Sequence, residues 1–210
     1  MPEHSPLRSW LIAFAACAGV VAFCIVYVDR PVADFMQANI RPTALYKWIE
    51  TAFIPLTALA GIGSVVFFAV GVWSLNGKPL PGWTSIPLLC AWAVTWALAV
   101  TTVLKRFVGR SEADPTWVAR HVYEFRWLHG KPDYQGFPSG TTALTSAVVA
   151  VLWLVAPRRI RPAAVAFLAI IAVALVLTNS HWVADVIGGA FLGSTIGWMT
   201  VRLRQGQVPA

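Results

Sequence analysis

Long apolar runs separated by shorter polar stretches dominate the chain. A helix needs roughly 17–25 apolar residues to cross a bilayer. Six runs reach that scale, at about 10–28, 51–75, 85–104, 140–156, 162–178 and 182–201. The pattern predicts an all-α, polytopic membrane protein, a six-transmembrane-helix bundle forming one domain over 1–210. Segment 29–50 mixes charges with apolar residues at helical spacing, which predicts an amphipathic helix lying at the outer interface, with a plain surface loop as the alternative. The long stretch from Lys105 to Ser139 is rich in Trp, Phe, Tyr and Gly, so it is expected to fold into an extracytoplasmic loop cap. The fourth run starts abruptly, on Phe137-Pro138-Ser139-Gly140-Thr141.

Composition supports a bilayer as the solvent. Hydrophobic residues make up 58% and charged residues 12% of the 210, against about 25% charged in ordinary soluble domains. Mean hydropathy is +0.66. The net charge of +7 would fit nucleic acid, but the cations sit between apolar runs and not on one face, so no nucleic-acid partner is expected. Six spans place both termini on one side. Short segments there hold Arg8, Lys78, Arg158, Arg159, Arg161, Arg202 and Arg204, with Glu3 as the lone acid. The positive-inside rule then puts the termini in the cytoplasm. The first run is long and lacks a small-residue cleavage site at Tyr27-Val28-Asp29-Arg30, so a retained helix is expected. Cys17, Cys24 and Cys90 all lie in apolar runs without zinc-ligand spacing, and neither metal nor cofactor is expected. Gly189, Gly193 and Gly197 recur at the spacing of close helix packing, within the bundle or in a homodimer.

Three polar clusters fall at one face when the six runs are threaded. Lys105, Arg106 and Arg110 end the third run, Ser139 and Gly140 open the fourth, and Asn179, Ser180, His181 and Asp185 open the sixth. Lys105 and Arg110 read as anion ligands or as cations snorkelling to headgroups. Ser139 suits an N-cap, Gly140 lets a ligand approach the backbone, and free N–H groups there favour an anion. His181 and Asp185 are four apart and share a helix face. An Asp within a span costs about 2.5–3.5 kcal/mol on insertion scales. A hydrogen bond to His181 would offset part of that and leave the other imidazole nitrogen free as nucleophile or base. The alternative is a purely structural polar pair between helices.

The combination Lys105…Gly109-Arg110, Phe137-Pro138-Ser139-Gly140 and His181-x-x-x-Asp185-x-x-Gly188 resembles the type-2 phosphatidic acid phosphatase superfamily, over about residues 95–197. The 115–130 loop is similar to that of a bacterial branch. The resemblance implies a membrane lipid phosphatase, without metal, acting on a lipid phosphate (phosphatidate-like or isoprenyl diphosphate) through a phosphohistidine. It implies that Lys105, Ser139 and Gly140 bind the phosphate, that His181 attacks phosphorus and that Asp185 orients it. It further implies a bacterial inner-membrane location with the site facing the periplasm or exterior.

Three positions depart from the family pattern. Glu112 stands where its first motif has arginine, Leu175 where its third motif has arginine, and Thr141 where its second motif has the proton-donating histidine. Arg110 is then expected to take over phosphate binding, with Thr141 beside it as a neutral hydrogen-bond donor. His129 or His121 of the loop is expected to supply the proton. The alternative is a non-catalytic relative that binds or moves an anionic phospholipid.

Overall fold

The computed structural model describes residues 6–74 and 84–206. Among these the architecture is all-helical, the sole sheet-like feature being an isolated antiparallel bridge between Arg110 and Phe125. The long helices are α1 (Leu7–Ile40), α2 (Ala44–Ser74), α3 (Ser85–Val108), α4 (Gly140–Val155), α5 (Arg161–Leu177) and α6 (Val183–Gly206). Among the described residues, four segments are long and apolar enough to cross a membrane: Leu7–Ile40, Ser85–Val108, Arg158–Leu177 and Val183–Arg204. Helix α4 is apolar but shorter. Helix α2 covers the second predicted run as far as Ser74, and the side chains of 53–61 lie outside the described residues.

The separate interfacial helix expected over 29–50 is not there. Helix α1 continues through Asp29-Arg30-Pro31 to Ile40, with π turns at Cys24–Val28 and Met36–Ile40. A π turn leaves a local gap in the i→i−4 ladder, so a helix interrupted this way tolerates a residue without an N–H such as Pro31. The chain then turns at Thr43, whose N–H and hydroxyl both donate to Ile40 O, and re-enters helix at Ala44.

Helices α4 and α6 form the centre of the bundle, with α3 against both. Three glycines explain how close α4 and α6 come. A Cβ on Gly189 would meet Ser139 O, on Gly193 Ala143 O, and on Gly197 Ala147 O. The expected small-residue face therefore serves packing inside this chain. Around it Leu89, Cys90, Ala93, Ala97, Ala147, Val151 and Ile196 are buried together. This close approach is what brings the start of α4 beside the start of α6.

The 109–139 segment is folded. Gly109 ends α3 in the left-handed region, φ 56°, where its N–H donates to Lys105 O. A side chain there would run into Arg126 O, so glycine is required. Residues 107–111 then run alongside 124–128, with Arg126 N donating to Gly109 O, Leu128 N to Phe107 O and Ser111 N to Glu124 O.

Candidate active site

Each polar cluster is built on a helix end. Ser139 is extended (φ −61°, ψ 116°) and its Oγ accepts from Thr142 N at 3.3 Å, the N-cap expected of it. Thr142 Oγ1 also donates to Ser139 Oγ at 3.0 Å. Ser139 is fully buried, so its hydroxyl is already engaged in starting α4. Replacing Ser139 with Ala should cost about 1 kcal/mol of stability, read as a lowered thermal midpoint in detergent. An unchanged midpoint would remove the capping role.

Helix α6 has a less local start. Asp185, in its first turn, reaches back to accept from Trp182 N at 3.2 Å. Two residues on, Ala184 N donates at 3.0 Å to Asp29 Oδ1, a carboxylate carried by α1. Asp29 thus caps α6 from another helix.

These ends meet. Ser139 N donates to Asp185 O at 3.0 Å, joining the second and third clusters. Lys105 lies against Gly140, where a Cβ would sit 3.7 Å from its Cε, joining the first and second. Lys105 Nζ donates to Gln135 O at 2.6 Å. Gly136 N donates to Arg110 O, and its missing Cβ keeps clear of Asp185 Oδ2. Lys105, Ser139, Gly140, His181 and Asp185 therefore share one neighbourhood, with Thr141 half-buried one residue further along α4.

Arg110 is held by carboxylates. Its guanidinium is wholly buried, with Nη1 2.5 Å from Asp185 Oδ1 and Nη2 2.5 Å from Asp29 Oδ2. Nη2 also donates to the Tyr123 hydroxyl at 2.8 Å. The rings of Tyr123, Phe125 and Trp182 each stand 5.4 Å from its Cζ. Both Nη atoms are engaged by carboxylates while Nε is buried without a partner, which makes Arg110 the counterion of Asp185 and Asp29. Burial opposes its charge, but Asp185 and then Asp29 outweigh burial and hold its pKa above the usual arginine value. Burial lifts the Tyr123 phenol to about 12 despite Arg110, so it stays protonated and donates to Ile25 O.

The His181–Asp185 relation is also looser than the expected hydrogen bond. His181 Nδ1 faces Asp185 Oδ2 at 3.6 Å and has no hydrogen-bond partner. The carboxylate is drawn off by Arg110 on one oxygen and by Trp182 N on the other. His129 does not stand by His181 through any hydrogen bond; it sits edge-on to Tyr134, ring centroids 4.9 Å apart, with Nε2 buried and unpartnered. His121 stacks edge-on against Trp117 on the exposed side of the loop.

The model of the PAP2 superfamily matches residues 86–209. The chain belongs to that superfamily. PAP2 proteins are phosphatases, which supports a phosphoric ester hydrolase here. A solved structure, LpxE of Aquifex aeolicus, aligns at 20% identity with a TM-score of 0.40, covering 78% of this chain and 98% of that one. No curated protein sequence matches. Asp29, which caps α6 through Ala184 N, lies outside the region that the PAP2 model matches.

Two of the cavities among the described residues differ in character. One, of about 360 Å³, is lined by Tyr46, Glu50, Glu112, Asp114, Pro115, Thr178 and Ser180. The other, about 590 Å³, is an apolar groove between α3 and α6 that includes Trp92, Trp96 and Met199, away from the polar clusters. Asp29, Tyr123, Trp182 and Glu112 were not singled out by sequence as site residues. The one local signal for Asp29 is an acid between Val28 and Arg30 inside a helix that does not end there.

Proposed function

We propose that this PAP2 protein is a membrane lipid phosphatase that transfers phosphate to His181 and then to water. The observation that carries this is the His181–Asp185 pair: Nδ1 is turned toward a buried carboxylate 3.6 Å away, which leaves Nε2 as the attacking atom. Two carboxylates and one guanidinium make up the buried cluster behind it, one negative charge in excess when all are ionised. That excess favours the cationic imidazole that forms when a neutral imidazole bonds to phosphorus. The N–H groups at the start of α4 and the Lys105 ammonium supply positive potential for the phosphoryl oxygens. Once Lys105 Nζ turns from Gln135 O, a phosphate beside Gly140 is within its reach.

The substrate is a lipid carrying a phosphate ester or diphosphate, phosphatidate-like or isoprenyl, presented from the bilayer at the outer face. Lysine and arginine excess on the terminal side supports that orientation. The test is phosphate release by purified protein in detergent from phosphatidate and farnesyl diphosphate, with His181→Ala alongside. Release should be lost in the variant, with a covalent phosphoprotein that is acid-labile and base-stable in the parent. No release above His181→Ala on either lipid sinks the phosphatase. The second reading, a binding relative without turnover, is favoured by one observation: Ser139 Oγ is committed to its cap. It predicts anionic-lipid binding that persists in His181→Ala.

A further inference from the structure

A phosphatase of this kind still needs a proton for its leaving oxygen, and Thr141 has no acidic proton at neutral pH. We propose that Glu112 is that general acid, held at the edge of the His181 site by the 109–139 segment. The inference rests on the phosphatase reading above.

Position comes first. The Glu112 backbone is fixed on both sides: its N–H donates to Asp133 O at 3.0 Å and its carbonyl accepts from the Thr116 hydroxyl. Two residues on, Asp114 N donates at 3.0 Å to Asn179 O, in the left-handed turn that leads into His181. The turn is itself clamped, because Asn179 Nδ2 donates to Ala33 O at 3.1 Å. Glu112 and Ser180, the neighbour of His181, then form walls of one cavity of about 360 Å³. That is room for a leaving group at a wall one residue from His181 in the chain.

The charges around Glu112 come next. His181 and Lys105 act on it as the favourable partners of its carboxylate, and Asp133 and Asp185 as the unfavourable ones. Glu50, Asp114 and Tyr46 line the same cavity, with Asp114 paired to Arg41 at 3.2 Å. Burial is the largest influence and pushes the Glu112 carboxyl above the ordinary glutamate value, in spite of His181 and Lys105. A carboxyl raised toward neutrality by burial is the form in which glutamate serves as an acid. His129, the sequence candidate, is instead turned onto Tyr134.

His181 Nε2 bonds to phosphorus while the bond from phosphorus to the lipid oxygen breaks. The Glu112 O–H proton moves to that oxygen, leaving a lipid alcohol and a Glu112 carboxylate. Water then attacks the phosphohistidine, giving its hydroxyl to phosphorus and its proton to Glu112. His181 departs and the starting state returns. An alkoxide leaving group needs the proton, whereas p-nitrophenolate and a leaving phosphate need it far less. Glu112 therefore makes the chain competent for lipid phosphate monoesters.

The experiment compares the full-length protein with Glu112→Gln on dioleoyl phosphatidate, p-nitrophenyl phosphate and farnesyl diphosphate. Phosphatidate turnover should fall roughly 100-fold or more, with a much smaller loss on the other two. For phosphatidate, kcat in the parent should fall as pH rises through the Glu112 pKa, and Glu112→Gln should lack that limb. Equal losses on all substrates, or a limb that survives in the variant, overturn the proposal. If Glu112→Gln does not fold, the parent alone decides: a basic limb for phosphatidate and none for p-nitrophenyl phosphate supports it, and the same limb for both overturns it. His181-dependent release from farnesyl diphosphate with none from phosphatidate removes the acid and keeps the phosphatase. No His181-dependent release on any substrate removes both.

Discussion

Arg110→Ala should be the most damaging single change to stability in the chain. It leaves Asp29 and Asp185 facing each other across a fully buried space with nothing between them. Removing one partner of a buried ion pair costs about 3–5 kcal/mol, because the survivor keeps its desolvation penalty without its attraction. Here two survivors repel. The variant also empties the space among Tyr123, Phe125 and Trp182. Asp29→Asn should be milder, since the amide oxygen still accepts from Ala184 N and Arg110 keeps Asp185. Thermal unfolding in detergent, followed by tryptophan fluorescence, orders the two. Asp29→Asn unfolding at or below the temperature of Arg110→Ala would mean that the guanidinium is not what holds the cluster together.

The second large effect is expected at Gly193. A side chain there meets the Ser146 hydroxyl and a carbonyl oxygen, Ala143 O, and the carbonyl cannot swing aside without moving α4. Overpacking a tight contact typically costs about 1–3 kcal/mol, and a backbone obstacle puts Gly193→Leu at or beyond the upper end. The harm should reach function as well. Separating α4 from α6 strains the Ser139 N–H to Asp185 O link that joins two parts of the site. Gly19→Ala in α1 is the control, since a Cβ there meets nothing within 4 Å. Equal unfolding temperatures for the two variants would refute the close approach of α4 and α6.

What the sequence made readable was local. Ser139 as an N-cap needs only Thr142, three residues on. The glycine face of α6 is a periodicity, and so is the shared face of His181 and Asp185. Sharing a face does not fix a hydrogen bond, however. Asp185 is pulled by Arg110, 75 residues earlier in the chain, and that competition leaves His181 Nδ1 at 3.6 Å. Arg110 reads as an anion ligand because a cation at a span end invites an anion, but the carboxylates that hold it come from distant helices and were not visible. Asp29 was hidden more thoroughly. Asp-Arg-Pro after an apolar run reads as the end of a span, yet α1 carries on past it through π turns. Glu112 shows the opposite lesson. Its place in the family pattern was visible as a lost arginine, while its burial and its link to the Asn179 turn needed the folded loop.

The cap that Asp29 places on α6 bears on how the protein can be divided. All three motif clusters lie within 86–209, the stretch that defines the family. A fragment cut to that stretch would keep every residue of the proposed chemistry and lose the carboxylate that neutralises Arg110 and satisfies Ala184 N. Family boundary and cooperative unit are therefore different lengths of chain. Helix α1, through Asp29 within its length, supplies a carboxylate that the rest of the chain does not contain at that place.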